Sequence, residues 1–179
     1  MKPSANSLSV CVGERDVCIK IEGRANFTSS VDFKTLVNSL WQKGHHHFVL
    51  DLTDCMLMDS TFLGVLAGLG LKLTNGDTKN SPEATPIELL NPNARIADLL
   101  ENLGVAHLFH TVAGRSAEDS QKLVPVETPA TNASKAEISR NCLEAHKVLM
   151  EINPANVAKF KDVAQFLAED LKKTEGTGQ

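Results

Sequence analysis

The sequence predicts an α/β protein in which a mixed sheet of about five strands is covered by helices and followed by a C-terminal helical hairpin. Short apolar runs typical of buried strands alternate with longer segments whose apolar residues recur at helical spacing. Turn residues join the first two runs into a hairpin, and helical segments separate the later runs. The first two strands should therefore be antiparallel and the later ones parallel.

The composition excludes several classes of protein. With 42% hydrophobic and 22% charged residues in 179, the chain is typical of soluble globular proteins. A net charge of −4 without a basic face argues against direct binding of nucleic acid. No apolar run is long enough for a membrane span, and the N-terminus lacks the apolar core of a signal peptide. We therefore expect a cytoplasmic protein whose four cysteines, which form no C-x-x-C motif, are reduced and mostly buried.

The N-terminal part predicts a β-hairpin and a helix. Residues 8–12 and 17–22 are apolar segments joined by a Gly-Glu-Arg-Asp turn, and Gly23 is expected to end the second strand. Residues 29–32 predict the start of a helix with a capping box. This helix should cover the sheet with one apolar face and stop near Gly44.

The segment from Phe48 to Leu73 is the centre of the predicted fold. Residues 48–52 indicate a strand buried on both faces, and residues 53–59 a loop. A strongly apolar helix then begins at Ser60. Its hydroxyl is suited to cap the helix by accepting from first-turn amides. The same position also suits a phosphate, which the amides and the helix dipole would stabilise.

The next part of the chain predicts a polar loop over 74–86, a strand over 87–90 and a helix whose cap lies in the Asn91-Pro92-Asn93 segment. This helix should end at Gly104 and be followed by a last short strand over 108–112. Taken together, these elements favour a single α/β unit over residues 1–112.

The C-terminal part predicts a linker and two helices. Residues 113–135 are rich in Ala, Ser, Thr, Pro and Glu and lack periodicity, which is typical of a linker. Residues 136–175 form a two-helix extension divided at Asn153-Pro154. Its apolar stripes are narrow, so the hairpin either folds back onto this chain's own domain or forms a homodimer or partner surface.

Motifs for catalysis, metal binding or cofactor binding are not evident. The three histidines 45–47 would point to alternate faces of an extended segment, which favours a surface loop over a metal site. The glycines between Gly64 and Gly70 lie inside the predicted helix and indicate close helix packing rather than a phosphate loop. Asp51, Asp54 and Asp59 are close enough in sequence to suggest Mg²⁺ binding or acid/base chemistry in a small hydrolase.

Two stretches resemble the STAS domain, the family of bacterial anti-sigma factor antagonists. In that family an apolar strand ends in Asp, and Asp-Ser-Ser-Gly-Leu-Gly opens the following helix. Here Asp51 ends the strand and the segment DSTFLG, from Asp59 to Gly64, opens the helix. The segment NPNARIADLLENLGVAHLF resembles the family's closing helix and strand. The resemblance covers roughly residues 8–112, and Phe62 stands where the family usually has Gly.

The resemblance implies a regulatory binding protein rather than an enzyme. In the family, the serine after the aspartate is phosphorylated by a partner kinase that is also the anti-sigma factor, which places the modification at Ser60. The implied partner-binding residues are Asp59, Ser60, Thr61, Phe62, Leu63 and Gly64. A bulky Phe62 would alter the surface that the partner recognises. The alternative is an unphosphorylated STAS scaffold subunit of a stress-signalling or lipid-transport assembly.

Overall fold

The computed structural model describes residues 6–14, 16–76, 87–114, 124–125 and 133–176. The strands are β1 (Ser7–Val12), β2 (Asp16–Ala25), β3 (His47–Asp51), β4 (Cys55–Met58), β5 (Ile87–Leu90), β6 (His110–Val112) and β7 (Val124–Pro125). The helices are α1 (Phe27–Gln42), α2 (Ser60–Gly76), α3 (Ala94–Asn102), α4 (Lys135–Ile152) and α5 (Ala155–Gly176).

The sheet has the predicted mixture of directions. Its strands lie in the order β6-β5-β3-β2-β1-β7, and β4 pairs with β2 beside this path. β1 and β2 form the antiparallel hairpin, whereas β2, β3, β5 and β6 are parallel neighbours. The α/β fold class, with an N-terminal hairpin, parallel later strands and covering helices, is therefore confirmed.

Among the helices of the described residues, α2 is the most deeply buried. The apolar positions predicted to face inward, at 62, 66, 69 and 73, are all at most 6% exposed. Phe62 packs against Phe33 of α1 with ring centroids 4.9 Å apart. Burying side chains of this size contributes about 1.5–3 kcal/mol each. The start of α2 is therefore held rigidly against the sheet and α1.

Two boundaries in the N-terminal half differ from the prediction. Helix α1 begins at Phe27 because Asn26, not a residue of 29–32, is the cap and accepts from the amides of Thr28 and Ser29. Strand β2 does not end at Gly23. This glycine has a φ of +78°, and the pairing register shifts beside it. The strand bends there and goes on to pair with β4, which the sequence predicted as loop.

Three later predictions also need correction. Helix α2 continues to Gly76, into the predicted loop, and the remaining loop residues 77–86 lie outside the described residues. The predicted strand over 108–112 is a 3₁₀ turn over Ala106–Leu108 followed by β6. Within the predicted linker, β7 pairs with the edge of β1, and residues 115–123 and 126–132 lie outside the described part.

The C-terminal hairpin folds back onto the α/β unit. Asn156, at the start of α5, is fully buried and its Nδ2 donates to the carbonyls of Leu103 (2.9 Å) and Leu149 (2.8 Å). Gly104, with a φ of +68°, lies against Asn153 in the turn between α4 and α5. These contacts fix the hairpin turn at the end of α3. Among the described residues, no helix is both long enough and apolar enough to cross a bilayer.

We expect Asn156→Ala to lower the free energy of unfolding by about 2 kcal/mol, because the carbonyl of Leu103 loses its donor and that of Leu149 keeps only the amide of Asn153. Urea denaturation followed by circular dichroism measures the change. Asn102→Ala, at an exposed asparagine on α3, is the matched control and should change the stability little. Equal stability of the two variants would contradict the anchoring role of Asn156.

Candidate functional site

The start of α2 is organised by the carboxylate of Asp59. Its Oδ1 accepts from the amide of Phe62 (2.8 Å) and its Oδ2 from the amide of Phe27 (2.7 Å). The amide of Asp59 donates to the carbonyl of Ala25 (2.9 Å). One residue therefore caps α2, binds the first turn of α1 and joins both to the end of β2. The alternative in which Ser60 caps the helix is wrong, because Asp59 takes that role.

Ser60 is the first residue of α2, and its hydroxyl contacts the C-terminal hairpin. Its Oγ lies 3.0 Å from Nε2 of His146 on α4. Nδ1 of the same ring is 2.7 Å from the carbonyl oxygen of Cys142, which can only accept. In the neutral imidazole Nδ1 therefore carries the hydrogen and Nε2 accepts. The Ser60 hydroxyl is thus the donor to His146.

His146 is a site residue that the sequence analysis did not find. It is 6% exposed, and its ring packs on Phe160 of α5 with centroids 4.9 Å apart. Its position four residues after Cys142, beside the predicted apolar stripe, is the signal that was available. A Ser–His hydrogen bond is also found in nucleophile–base pairs of hydrolases. Here, however, His146 lies between α2 and α5, bonded to Ser60 and packed on Phe160. The hydrogen bond therefore joins α4 to the start of α2.

Helices α2 and α4 approach each other closely next to this hydrogen bond. A Cβ atom on Gly64 would lie 2.5 Å from the backbone oxygen of Ala145, so the position requires glycine. One turn further, Gly68 faces Val148, and one turn earlier the hydroxyl of Thr61 is 3.7 Å from the sulfur of Cys142. Burial raises the pKa of the Cys142 thiol. The prediction that this glycine run serves close helix packing is confirmed.

The six predicted partner-binding residues do not form one exposed surface. Phe62 and Leu63 are fully buried in the core, and Thr61 is 5% exposed. Gly64 is buried beneath α4, whereas Asp59 and Ser60 are partly exposed. The ring of Phe62 faces Phe33 in the core and does not itself form part of an exposed surface, so its effect on recognition stays a prediction. The four residues Asp59, Ser60, Thr61 and Gly64 lie on the side of α2 toward α4 or at its start.

A groove of about 200 Å³ lies between α1, α2 and α4. It is lined by Lys34, Gly68 and Val148 among others, and by Asn141, which is 6% exposed. Nδ2 of Asn141 donates to Ser30 Oγ (2.9 Å). Its Oδ1 has no hydrogen-bond partner within the described part of the chain. The α4 surface that faces α1 and α2 is therefore partly polar and incompletely satisfied.

The three clustered aspartates have separate structural roles. Asp51 is fully buried and accepts from the amide of Thr53 (3.0 Å). Asp54 pairs with Lys20 (3.0 Å), and Asp59 caps α2. The described residues contain no group of three potential metal ligands. The small-hydrolase alternative, which depended on convergence of these carboxylates, therefore has no geometric support. Of the histidines at 45–47, His47 lies in β3 and its Nδ1 is 2.9 Å from Oδ1 of Asp16.

We expect Asp59→Ala to lower the free energy of unfolding by about 2 kcal/mol, since α2 loses its cap and α1 loses an acceptor. Ser60→Ala, which removes a single hydrogen bond, should cost about 1 kcal/mol. Chemical denaturation measures both. Asp162→Ala, at an exposed aspartate on α5, is the control. A loss in Asp59→Ala no larger than in Asp162→Ala would contradict the role assigned to Asp59.

Solved structures with a similar fold include two bacterial proteins. The anti-sigma factor antagonist SpoIIAA in its unphosphorylated form is 15% identical, with a TM-score of 0.51, covering 65% of this chain and 92% of that one. A Thermotoga maritima protein assigned as an anti-sigma factor antagonist is 18% identical, with a TM-score of 0.51, covering 63% and 90%. At these identities the likeness extends to the fold.

A search of curated protein sequences finds no significant match. The family model of the STAS domain matches residues 8–118, which include both strands of the hairpin, the Asp59-Ser60 junction and the closing helix and strand. This match spans more than half of the chain and contains every element from β1 to β6 except the first residue of β1. The chain therefore belongs to the STAS domain family.

Proposed function

We propose that this STAS protein is an anti-sigma factor antagonist that is switched by phosphorylation of Ser60. The partner is a serine kinase that also acts as the anti-sigma factor, and the setting is the cytoplasm. The observation that carries the proposal is the position of Ser60, which is the first residue of α2 and directly follows the capping Asp59. This is the position that the signature serine takes in the family resemblance.

The local electrostatics suit a modified serine. The N-terminus of α2 carries the positive end of the helix dipole, which favours a phosphate at its first residue. Because Asp59 rather than Ser60 caps the helix, modification of the serine leaves the cap intact. The α/β unit would therefore tolerate the phosphate, and the first contact to change would be that of Ser60 with His146 on α4.

The switch itself is local. Without phosphate, the surface around Ser60 binds the anti-sigma factor and the sigma factor is released. A phosphate adds about two negative charges and three acceptor oxygens. These charges stand next to the carboxylate of Asp59, so that a partner which tolerates a neutral hydroxyl there is repelled. The proposed role is regulatory binding, without catalysis or a cofactor.

We expect phosphopeptide mass spectrometry of the native protein, across growth and stress conditions, to find partial and condition-dependent phosphate at Ser60. A protein expressed with Ser60→Ala is the control, because it should lose this signal while keeping any phosphate elsewhere. Once the phosphorylating kinase is identified, Ser60→Asp should bind it at least tenfold more weakly than Ser60→Ala. Absence of phosphate under every condition, or equal binding of the two variants, would contradict the switch.

A second candidate function is an unswitched STAS subunit of a stress-signalling or lipid-transport assembly. The observation in its favour is that the Ser60 hydroxyl already has a partner in His146. The exposed side chains Val163 (45%) and Phe166 (68%) on α5 would then serve a homodimer or another constant contact. Light scattering of the purified chain distinguishes the two functions. A stable oligomer that Phe166→Ser dissolves would favour the scaffold, whereas a monomer would favour the switch.

A further inference from the structure

We propose that the α4–α5 hairpin occupies, in the same molecule, the surface of α2 on which the partner binds, and that this surface fits a helix. The inference rests on the proposed function for the identity of the partner. It concerns a part of the chain that lies outside the family match to residues 8–118. Binding of the partner, or access of the kinase to Ser60, then requires α4 to leave.

The first step of the argument is the position of α4. Three of the four predicted recognition residues outside the core contact it, namely Ser60, Thr61 and Gly64. Ser60 bonds His146, Thr61 bonds Cys142, and Gly64 lies under the backbone of Ala145. A partner that touches this side of α2 would meet the atoms of α4 first. The two cannot bind at the same time.

The second step is the composition of the contact. The side of α2 that faces the sheet carries large apolar residues, whereas four positions in its first half that face α4 are small or polar. The latter are Ser60, Thr61, Gly64 and Gly68. Interfaces that form and separate are more polar than permanent cores. Removal of α4 would uncover hydroxyls and backbone at the start of α2, and it would also withdraw Ala145 and Leu149 from the main apolar cluster.

The third step is the incomplete satisfaction of the α4 side. Asn141 and His146 are both 6% exposed, and Oδ1 of Asn141 lacks a partner among the described residues. A buried unpaired carbonyl oxygen favours any state in which it reaches water. The docked state of α4 therefore includes an unfavourable term that undocking removes, as expected for an element that can be displaced.

The fourth step concerns the shape of the surface. At Gly64 the backbone of a helix reaches van der Waals contact with the backbone of α2, and any larger residue on either side would prevent this approach. Two helices approach this closely only where each has a small residue at the contact, and α4 has Ala145 there. The partner is therefore expected to contribute a helix with Gly, Ala or Ser opposite Gly64.

The last step connects the hairpin with the modification. A phosphoryl group on Ser60 Oγ would take the space of Nε2 of His146, only 3.0 Å away. The His146 ring cannot withdraw on its own, because it is buried against Phe160. Docked α4 and phosphorylated Ser60 thus exclude each other. The chain therefore has three states. In the closed state α4 is docked on α2. In the two open states α4 is undocked, and Ser60 is either free to meet the partner or phosphorylated.

The closed state sets the apparent affinity of the partner. If one molecule in about a hundred is open, the apparent dissociation constant rises about a hundredfold over that of the open form. Anything that stabilises the docked hairpin weakens the partner's binding without touching the partner. The hairpin therefore acts as an intramolecular competitor.

The test uses hydrogen–deuterium exchange of four full-length chains: wild type, Ala145→Leu, Ala158→Leu, and a chain with phosphoserine incorporated at position 60. Leucine at 145 meets the backbone of α2 at Gly64, whereas Ala158 is exposed on α5 and serves as the matched control. We expect peptides of residues 60–68 and 135–152 to exchange at least tenfold faster in Ala145→Leu and in the phosphoserine chain than in the other two. Protection of β3 and β5 should stay unchanged.

Two results would overturn the inference. If the phosphoserine chain protects α4 as well as wild type does, phosphate and docked α4 are compatible. If β3 and β5 lose protection together with α4 in Ala145→Leu, the hairpin is an integral part of the core. Both readouts are independent of whether cells phosphorylate Ser60, so failure of the proposed function is detected separately by the mass spectrometry above.

The expected helical partner is tested with a stapled, fluorescent peptide of residues 134–152. The staple joins the exposed positions 147 and 151, away from the contact with α2. We expect this peptide to bind the Ala145→Leu chain at least tenfold more tightly than wild type, and to lose that binding when Gly64→Leu is added. Equal affinity for wild type and Ala145→Leu, or no effect of Gly64→Leu, would contradict a helix-binding surface at this position.

Discussion

The hydrogen bonds of Asp59 are the interaction on which the geometry of the site depends. The carboxylate of Asp59 accepts from the first turns of α1 and α2, and the backbone amide of Asp59 donates to Ala25 at the end of β2. The two helix starts and the strand end are therefore fixed relative to each other. Ser60 inherits its position from this arrangement, because it is the next residue and the first of α2. From this position its hydroxyl reaches His146 on α4.

Much of the fold was predictable because its signals are local. The apolar runs of β3 and β5, the helical spacing in α2 and the Asn93 cap of α3 each involve a few neighbouring residues. The errors arise where a segment becomes a strand only by pairing with a strand that is distant in sequence. Strand β4 exists because β2 bends at Gly23 and offers it an edge, and β7 exists because the edge of β1 is free for pairing. Neither segment has a strong strand pattern of its own.

The site was predictable in position but not in its surroundings. The Asp-Ser pair at the start of a helix is a local pattern, and the structure places it there. Its contact with His146 spans 86 positions in sequence, and no local pattern reports such a contact. Phe62 illustrates the same limit. Its departure from the family pattern suggested a changed surface, whereas the pair with Phe33 shows that it fills space between α1 and α2.

The location of the hairpin outside the family match has a consequence for binding of the partner. Residues 135–176 follow the family match to residues 8–118, yet Asn156 bonds the carbonyl of Leu103 and Leu149 lies in the main apolar cluster. Under the proposed function, substitutions in this hairpin would change how strongly α4 is held against α2 without a change in the residues of the STAS region. Two chains with the same STAS region and different hairpins would then bind the same partner with different apparent affinities.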